Sequence, residues 1–371
     1  MEKSQIKKKK KKVAIVHDFL LYIGGAEKVL YDLTRVFPDA PVYTLLHDKE
    51  KIGNFLSDRD IRTSFLQKWP KFFRKKYRYL LPFFGTAIES FDLRDFDIII
   101  SSSGAWSKGI VTRLDTKHIA YVHSPMRYVW DENEHYLKKN TNIKNRFCTR
   151  YLLSYLRLWD HQAAQRPDVL IANSQYTQKR IKKYYRRDAH VLYPSVEINK
   201  IKKEKKDHFV IVSRLSRYKN VSLAVEVCNK LQLPLIVIGE GEEFAYLQKI
   251  AGSTITLKGW VSDEEKMKDI ASARALLFPS EDDFGITPIE ALCVGTPVIA
   301  LARGGVKETV QGGVTGEFFV APTVEMMADA LRRFLEKEEK YDKKIMKKNI
   351  TKYSFKNFKK EIENIVNQFE K

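Results

Sequence analysis

Apolar and polar positions along the chain follow two different periods. Short apolar runs rich in β-branched residues begin at Val13 and recur in both halves, and stretches with apolar residues three and four apart separate most of them. Runs of the first kind predict buried strands, and stretches of the second kind predict helices. Strands that alternate with helices form parallel sheets. The pattern predicts an α/β protein with two doubly wound, Rossmann-like domains that bind ligand at the carboxyl ends of their strands, in the cleft between them.

The predicted strands are 13–16, 42–46, 98–100, 118–122, 169–172, 209–212, 235–238, 254–257, 275–278 and 297–300. The predicted helices are 26–37, 223–231, 244–250, 264–273 and 286–294, and His17 to Gly25 is predicted to be the turn after the first strand. These elements predict a basic tail at 1–12, an N-terminal domain at 13–195, a charged linker at 196–207, a C-terminal domain at 208–352, and a closing helix at 353–371 that packs back towards the N-terminal domain.

Composition narrows the class of protein. The 371 residues include 66 Lys and Arg, 46 Asp and Glu and three Cys, with a net charge of +20. Three widely spaced cysteines argue against a disulfide scaffold and for a reducing compartment. No run approaches the ~20 apolar residues that span a bilayer. Lys7 to Lys12 and the first strand mimic a signal peptide, but His17 and Asp18 interrupt the apolar run. We expect a cytoplasmic protein.

The positive charge belongs to the N-terminal half. Residues 1–200 carry 38 basic and 21 acidic residues, whereas residues 201–371 carry 28 and 25. The basic aromatic segment, Lys68 to Tyr79, has six basic and no acidic residues among its rings. Such a mixture suits contact with an anionic membrane surface, although an ordinary surface helix with its rings on the core and a nucleic-acid site remain open. The predicted membrane contacts are Lys68, Trp69, Lys71, Phe72, Arg74, Lys75, Lys76 and Arg78.

Two loops of the predicted sheets could hold a phosphate. Gly24 and Gly25 lie between the first strand and its helix, where backbone N–H groups and the positive helix end attract anions. A tight turn that needs positive φ explains the two glycines equally well. Arg214 and Lys219 follow the first strand of the C-terminal domain, where two cations could hold a diphosphate without a metal ion, although surface charge would explain them too.

The stretch from Pro279 to Gly304 favours a nucleotide sugar. Asp282 lies on an acidic loop and Glu290 lies eight positions later inside a predicted helix. Carboxylates accept hydrogen bonds from sugar and ribose hydroxyls, and the backbone N–H groups near Gly285 suit a phosphate. A nucleotide sugar satisfies both, because it has hydroxyls at its ends and a diphosphate between them.

These residues resemble a known family. Four features carry the resemblance: the Asp282 and Glu290 pair, Arg214 with Lys219, the Gly239-Glu240-Gly241 turn and the Gly295-Thr296-Pro297 segment. They are similar to those of retaining glycosyltransferases of family 4, which have the two-domain GT-B fold. The N-terminal half resembles bacterial mannosyltransferases of O-antigen and capsule synthesis. That likeness rests on Gly24-Gly25-Ala26-Glu27, Ser101-Ser102-Ser103, Tyr121 to Tyr128, Trp130-Asp131 and Ala172-Asn173-Ser174.

The resemblance implies a role for each residue. Arg214 and Lys219 would neutralise the donor diphosphate, Glu290 would bind the ribose, and Gly25 and Gly239 would leave room for the donor. Asp282 stands where the family usually has a glutamate that contacts the transferred sugar, and His123 would approach that sugar from the N-terminal domain. A buried, hydrogen-bonded structural histidine is the alternative for His123. The backbone contacts with the base, the sugar and the phosphate would come from Val261, Phe284, Gly285, Ile286 and Thr287.

The resemblance therefore implies a hexosyltransferase without a metal cofactor. The expected reaction moves mannose from GDP-mannose to a lipid-linked saccharide at the inner face of the cell membrane. Another nucleotide sugar such as a UDP-sugar, a GT-B nucleotide-sugar epimerase, and a basic nucleic-acid-binding protein are the alternatives. Donor incubated alone would reveal an epimerase, and the acidic 279–290 loop opposes a polyanion.

Overall fold

The computed structural model describes residues 11–131, 146–197, 201, 204, 206–341, 345–346 and 350–369. The chain forms two compact units. The described residues of unit 1 lie within Met1–Asn173, Thr177–Leu192 and Lys359–Lys371, and those of unit 2 lie within Ser174–Tyr176 and Tyr193–Phe358. The predictions for Lys7 to Lys10 and for 198–200, 202–203 and 205 of the linker fall outside the described residues.

Unit 1 is built on a seven-stranded parallel sheet in the order β3-β2-β1-β4-β5-β6-β7. Its strands are β1 Val13–Leu20, β2 Val42–His47, β3 Ile61–Thr63, β4 Ile98–Ser103, β5 Lys117–Val122, β6 Val169–Ala172 and β7 His190–Val191. Every residue of β4 is buried, as expected for a central parallel strand with both faces covered. Its helices are α1 Gly25–Val36, α2 Lys49–Ile52, α3 Lys71–Lys75, α4 Phe84–Glu89, α5 Arg146–Ala163 and α6 Gln175–Tyr185, the last of which begins in unit 2.

Unit 2 contains a six-stranded parallel sheet in the order β10-β9-β8-β11-β12-β13. Its strands are β8 Phe209–Val212, β9 Leu235–Ile238, β10 Ile255–Gly259, β11 Leu276–Phe278, β12 Val298–Leu301 and β13 Gly316–Phe319. Its helices are α7 Val221–Leu231, α8 Phe244–Ile250, α9 Asp263–Ser272, α10 Ile286–Cys293 and α11 Val324–Glu336, and α12 Phe355–Asn367 continues into unit 1. None of the helices in the described ranges is long and apolar enough to cross a membrane.

Each sheet has one point where the strand order reverses. In unit 1 the first strand, β1, lies between β2 and β4, and in unit 2 β8 lies between β9 and β11. Crossover connections leave in opposite directions from such a switch point, so a crevice opens at the carboxyl ends of the two central strands. The loops after β1 and β4, and those after β8 and β11, are therefore the parts of each unit that the fold makes available to a ligand.

The first strand is longer than the sequence indicates. The predicted turn at His17 is wrong, because β1 continues to Leu20 with His17 and Asp18 buried inside it. His17 is hydrogen-bonded to Ser102 on the neighbouring β4, and Asp18 accepts backbone N–H groups of the loop after β4. These hydrogen bonds offset the free-energy cost of burying the two polar side chains. A polar pair inside an apolar run looks like a turn when those partners are unknown.

Candidate functional site

The loop after β8 in unit 2 carries Arg214 and is tied to the Gly239–Gly241 turn. The Ser213 N–H donates to the Ile238 oxygen at 3.0 Å, and the Leu215 N–H donates to the Glu240 oxygen at 2.9 Å. Gly239 has a φ of +135°, and a Cβ there would lie 1.9 Å from the Ser213 carbonyl oxygen. Only glycine permits this approach. Arg214 itself is exposed at the carboxyl edge of the sheet.

Lys219 and Asp282 form an ion pair across the switch point of unit 2. The Lys219 Nζ lies 2.7 and 2.6 Å from the two carboxylate oxygens of Asp282. The side chains are 15% and 20% exposed, so the pair is shielded from water but open on one side. Asn220, in the left-handed region at a φ of 52°, ends the turn that carries Lys219 and donates to the Pro279 oxygen at 3.2 Å. The structure thus brings together two side chains that the resemblance assigns to the diphosphate and the sugar.

A pair of glycines that the sequence analysis did not assign to the site holds the acidic loop. The Gly305 N–H donates to the Asp282 carbonyl oxygen at 2.9 Å. A Cβ on Gly304 would lie 2.2 Å from that same oxygen, and one on Gly305 would lie 2.3 Å from the Asp283 oxygen. Backbone packed this closely leaves no space for side chains. The sequence signal was the Gly-Gly pair after β12, which matters only once the strand order places it beside the loop.

The acidic loop ends at the start of α10. Gly285 is the residue before the helix, with a φ of +87°. Phe284 is buried against Tyr193 and Tyr353, with ring centroids 5.8 Å from each, so its side chain anchors the loop. The first backbone N–H groups of α10, at Ile286 and Thr287, have no carbonyl partner within the helix. They are the groups that the sequence predicts for phosphate.

Glu290 is buried in α10 beside a lysine that the sequence analysis missed. Its Oε1 lies 3.0 Å from the Nζ of Lys266 on α9, and the side chains are 8% and 11% exposed. Burial and the Glu290 charge raise the pKa of Cys293 to about 12. The pair connects α10 to the helix that follows Val261, the residue predicted to contact the base. Val261 is half-buried and precedes Ser262, whose side chain accepts from the Glu265 N–H at 3.2 Å.

His123 follows β5 in unit 1 and is half-buried. Its Nε2 lies 2.8 Å from the Ser102 Oγ, and the same Oγ lies 3.1 Å from the Nδ1 of His17. The His17 Nε2 in turn lies 3.5 Å from the Glu27 Oε1. His123 is therefore the last group of a series that begins with Glu27 on α1, in which one 3.5 Å ion-pair contact is followed by two hydrogen bonds.

The Gly24-Gly25 turn belongs to the same region. Gly24 has a φ of −139°, so the expectation that a positive φ explains the glycine is wrong at this residue. Its N–H donates to the Glu27 Oε2 at 2.8 Å. A carboxylate of the chain itself thus engages the first N–H that the sequence predicts for phosphate, while Gly25 opens α1.

Asp18 organises the neighbouring loop after β4. Its carboxylate accepts four backbone N–H groups, from Gly104, Ala105, Trp106 and Ser107, at 2.9, 2.6, 3.0 and 2.6 Å. Successive N–H groups of this kind form an anion-binding concavity. In unit 1 the carboxylate of Asp18, which is 7% exposed, occupies this concavity and accepts all four of these N–H groups.

The basic aromatic segment is broken into short turns. Trp69 is half-buried and packs on the core, while Phe72 is 62% and Tyr79 is 73% exposed. Lys71 pairs with Glu50 at 3.1 Å, and the Lys76 Nζ lies 4.8 Å from the centre of the Phe72 ring. The alternative of a surface helix with its rings on the core therefore describes Trp69 but not the exposed rings. Lys68 is exposed and Arg74 donates to the Trp69 carbonyl, whereas the side chains of Lys75 and Arg78 lie outside the described part of the structure.

A second exposed apolar feature of unit 1 escaped the sequence analysis. Tyr151, Tyr155 and Leu158 of α5 are 74%, 55% and 69% exposed. Their spacing of four and three places them on one face of the helix. We call these three residues the α5 stripe. The periodicity was visible in the sequence, but periodicity alone does not tell which face of a helix is buried.

Two family models match the chain in succession. The model for Glycosyltransferase Family 4 matches residues 23–200, and the model for Glycosyl transferases group 1 matches residues 194–353. The second match contains the loops after β8 and β11, and the first contains the loops after β1, β4 and β5. The prediction of a family 4 glycosyltransferase is confirmed.

Curated relatives carry the name Alpha-1,3/1,6-mannosyltransferase ALG2. The human protein is 28% identical over 45% of this chain and 50% of its own length, so that match spans half of the human relative. The Dictyostelium discoideum protein is 23% identical over 87% of this chain and 89% of its own length.

Solved structures of low sequence identity share the architecture. Sucrose-phosphate synthase from Thermosynechococcus elongatus has a TM-score of 0.74 at 15% identity and covers 96% of this chain and 98% of its own. The Anabaena protein HepE in complex with UDP-glucose has a TM-score of 0.70 at 18% identity, with 96% and 99% covered. The prediction of two Rossmann-like domains in a GT-B fold is confirmed.

Proposed function

Because the chain belongs to the family 4 glycosyltransferases of the GT-B fold, we propose that it transfers mannose from GDP-mannose to a lipid-linked saccharide. The observation that carries this proposal is the Lys219–Asp282 pair at the switch point of unit 2. A cation beside a carboxylate suits a ligand in which a diphosphate is linked to a sugar, because the cation attracts the phosphates and the carboxylate accepts hydrogen bonds from the sugar hydroxyls. Mannose is favoured because the curated relatives are named mannosyltransferases.

The donor would be held by charge and by backbone N–H groups. Arg214 and Lys219 would face the diphosphate, and the N–H groups of Ile286 and Thr287 would add the partial positive charge of a helix start. Fixed donors of this kind stabilise the charge that develops on a departing nucleoside diphosphate. No protein nucleophile is required if the acceptor attacks the face that the phosphate leaves, with a phosphate oxygen taking the acceptor proton. That course retains the anomeric configuration.

Asp282 would serve as a positioning group for the sugar. A glutamate usually stands at this place in the family, and the shorter aspartate reaches one methylene less far. Lys219 holds both carboxylate oxygens of Asp282, so the carboxylate is oriented before the donor arrives. When the Lys219 ammonium group pairs with the diphosphate, the Asp282 oxygens become available to accept hydrogen bonds from sugar hydroxyls. Glu290 would accept from the ribose while Lys266 compensates its buried charge.

The acceptor would be presented at an anionic membrane surface. The exposed Phe72 and Tyr79, the cations around them, and the α5 stripe all belong to unit 1. Exposed aromatic side chains insert at the headgroup level, and each nearby cation adds about 1 kcal/mol against anionic lipid. The chain would then be a peripheral protein of the inner face of the membrane.

A panel of nucleotide sugars tests the donor. GDP-, UDP-, ADP- and dTDP-sugars are compared by the rise in melting temperature, since a ligand that binds the folded state stabilises it. GDP-mannose should give the largest shift and should release GDP when a lipid-linked saccharide is added. A response to UDP-sugars alone would overturn the GDP-mannose proposal. An epimer formed from the donor alone would show that the protein is an epimerase and not a transferase.

Flotation with vesicles tests the membrane surface. The chain should float with vesicles that contain phosphatidylserine and stay behind with purely zwitterionic vesicles or at high salt. Replacing Lys71, Arg74 and Lys76 by glutamate should abolish flotation, and replacing the α5 stripe by serine should weaken it. The matched control is Tyr246→Ser, because Tyr246 is 49% exposed in unit 2. Equal flotation of all variants would remove the membrane from the proposal.

A further inference from the structure

Four polar side chains of unit 1 form one continuous chain from α1 to the end of β5. Glu27, His17 and Ser102 are 4%, 2% and 0% exposed, and His123 at the other end is half-buried. The sheet itself creates the middle link, because His17 on β1 is the register partner of Ser102 on β4. The three contacts measure 3.5, 3.1 and 2.8 Å in the order given.

The positions of the protons along this chain follow from the carboxylate. Glu27 only accepts, so a neutral His17 carries its proton on Nε2, which faces Glu27, and its Nδ1 is an acceptor. The Ser102 hydroxyl has one proton and donates it to that Nδ1. Its oxygen then accepts, and the group that faces it is the Nε2 of His123. The Nε2 of His123 must therefore carry the ring proton.

We propose that Glu27, acting through His17 and Ser102, fixes the tautomer of His123 so that Nε2 is protonated and Nδ1 is the acceptor nitrogen. Glu27, His17 and Ser102 are positioning residues in this arrangement. The catalytic meaning rests on the proposed function together with the role that the family resemblance implies for His123, which is contact with the transferred sugar. An acceptor nitrogen in that place selects a sugar hydroxyl as donor and cannot supply a proton to the leaving group.

The second oxygen of Glu27 makes the arrangement testable. It accepts the Gly24 N–H at 2.8 Å, so this oxygen must remain an acceptor in any substitute. In Glu27→Gln the amide oxygen takes the Gly24 N–H, and the NH₂ group turns to His17. His17 then accepts on Nε2, donates from Nδ1 to Ser102, and Ser102 donates to His123. A change on α1 therefore reverses the tautomer of His123, three side chains away.

Nitrogen-15 NMR of histidine-labelled protein reads the tautomers directly. We expect the His123 signals, assigned with His123→Asn among the eight histidines, to show an Nε2-protonated ring in the natural chain and an Nδ1-protonated ring in Glu27→Gln. Ser102→Ala should leave a mixture of the two. The matched control is Ser101→Ala, because the neighbouring Ser101 makes an equally short 2.8 Å contact to the buried His118. That variant should leave His123 unchanged.

The outcomes separate this inference from the proposed function. An unchanged His123 tautomer in both Glu27→Gln and Ser102→Ala, with His118 signals showing a folded protein, would overturn the inference whatever the enzyme transfers. In the transfer assay Glu27→Gln should lower kcat roughly fivefold to tenfold with little change in KM, the effect of one reversed hydrogen bond. A failure to transfer mannose would leave the NMR result standing. A reversed tautomer with unchanged kcat would reject the catalytic role of His123.

Discussion

The two sheets have the same strand order around their switch points but hold different chemistry there. In unit 2 the loops after β8 and β11 carry the ion pair of Lys219 with Asp282, and a second pair, Lys266 with Glu290, joins helices α9 and α10. In unit 1 the corresponding strand ends carry a hydrogen-bonded chain of His17 on β1, Ser102 on β4 and His123 after β5, and the Asp18 carboxylate accepts four backbone N–H groups of the loop after β4. The same topology therefore presents a replaceable ion pair, Lys219 with Asp282, in one unit and a fixed polar network in the other.

That difference indicates which unit is prepared for an ionic ligand. The Lys219–Asp282 pair, whose side chains are 15% and 20% exposed, is open on one side and can exchange its partners for a phosphate and a hydroxyl. A buried network whose groups are all paired can only orient what touches its last member. The polar network at the switch point of unit 1 contains two carboxylates, those of Glu27 and Asp18. The excess positive charge of the N-terminal half includes the six basic residues of the basic aromatic segment, which agrees with a membrane partner for unit 1.

The largest effect is expected when the Lys219–Asp282 pair of unit 2 is broken. Lys219→Ala should lower kcat/KM by ~10²–10³, because a charge that stabilises the leaving diphosphate is lost. Asp282→Asn should also slow transfer but should bind free GDP more tightly than the natural chain, because a negative charge beside the diphosphate is gone. Isothermal titration calorimetry measures the affinity for GDP, which should fall in Lys219→Ala and rise in Asp282→Asn.

The control for that pair is Lys268→Ala on α9, whose cation pairs with the exposed Glu264 in the same unit. It should leave both transfer and GDP affinity unchanged. If Lys219→Ala and Asp282→Asn weakened GDP binding to the same extent, the pair would be structural, and the contrast between the two switch points would disappear.

The Lys266–Glu290 pair of unit 2 should contribute mainly to the stability of the fold. Lys266→Met leaves Glu290 buried without its cation, and breaking a buried pair from one side costs about 3 kcal/mol in the free energy of unfolding. The double variant Lys266→Met with Glu290→Gln should regain most of that loss, since no uncompensated charge remains. Urea unfolding measures both. A regained stability without regained GDP affinity would assign Glu290 to the ribose, and full recovery of both would leave it a structural residue.

The architecture was largely predictable because apolar periodicity records which residues are buried. Strands such as Val169–Ala172, Phe209–Val212 and Leu235–Ile238 have the predicted bounds. The predictions omitted β3, β7 and β13. None of the residues of β3 and β7 is buried, and β13 begins with Gly316 and Glu317, so none of the three is a run of buried, apolar β-branched residues. They also omitted α11, although its apolar face is buried.

The site was predictable only where chemistry and strand ends coincide. Asp282, Lys219 and Arg214 follow strands, so the rule that ligands meet the carboxyl edge makes them candidates, and the family resemblance favours them over surface charge. Lys266 and Ser102 could not be found in this way, because their roles depend on side chains far away in sequence. Glu290 lies 24 positions from Lys266, and His17 lies 85 positions from Ser102. Such pairs are set by the packing of elements and leave no local pattern.

The smallest effect sharpens the comparison within unit 1, between neighbouring serines that face opposite sides of β4. Ser101 meets His118, which is fully buried, and burial together with the charges of Arg187 and Arg166 lowers the pKa of His118 to about 3. The unfolded chain protonates this histidine near pH 6.5, whereas the folded chain does so only near pH 3. The unfolded state therefore binds more protons in this window, and stability falls as pH falls below 6.5.

At pH 5 the expected loss is about 2 kcal/mol relative to pH 7, since each pH unit in the window contributes about 1.4 kcal/mol. His118→Gln should remove this part of the pH dependence. Urea unfolding followed by tryptophan fluorescence reports mainly on unit 1, which contains Trp69, Trp106, Trp130 and Trp159. Ser101→Ala should lower stability at every pH but keep the slope, because burial and not the serine is the main cause of the shift. A slope that vanished with the serine would mean that the hydroxyl holds His118 neutral, and the two faces of β4 would then use serine in the same way.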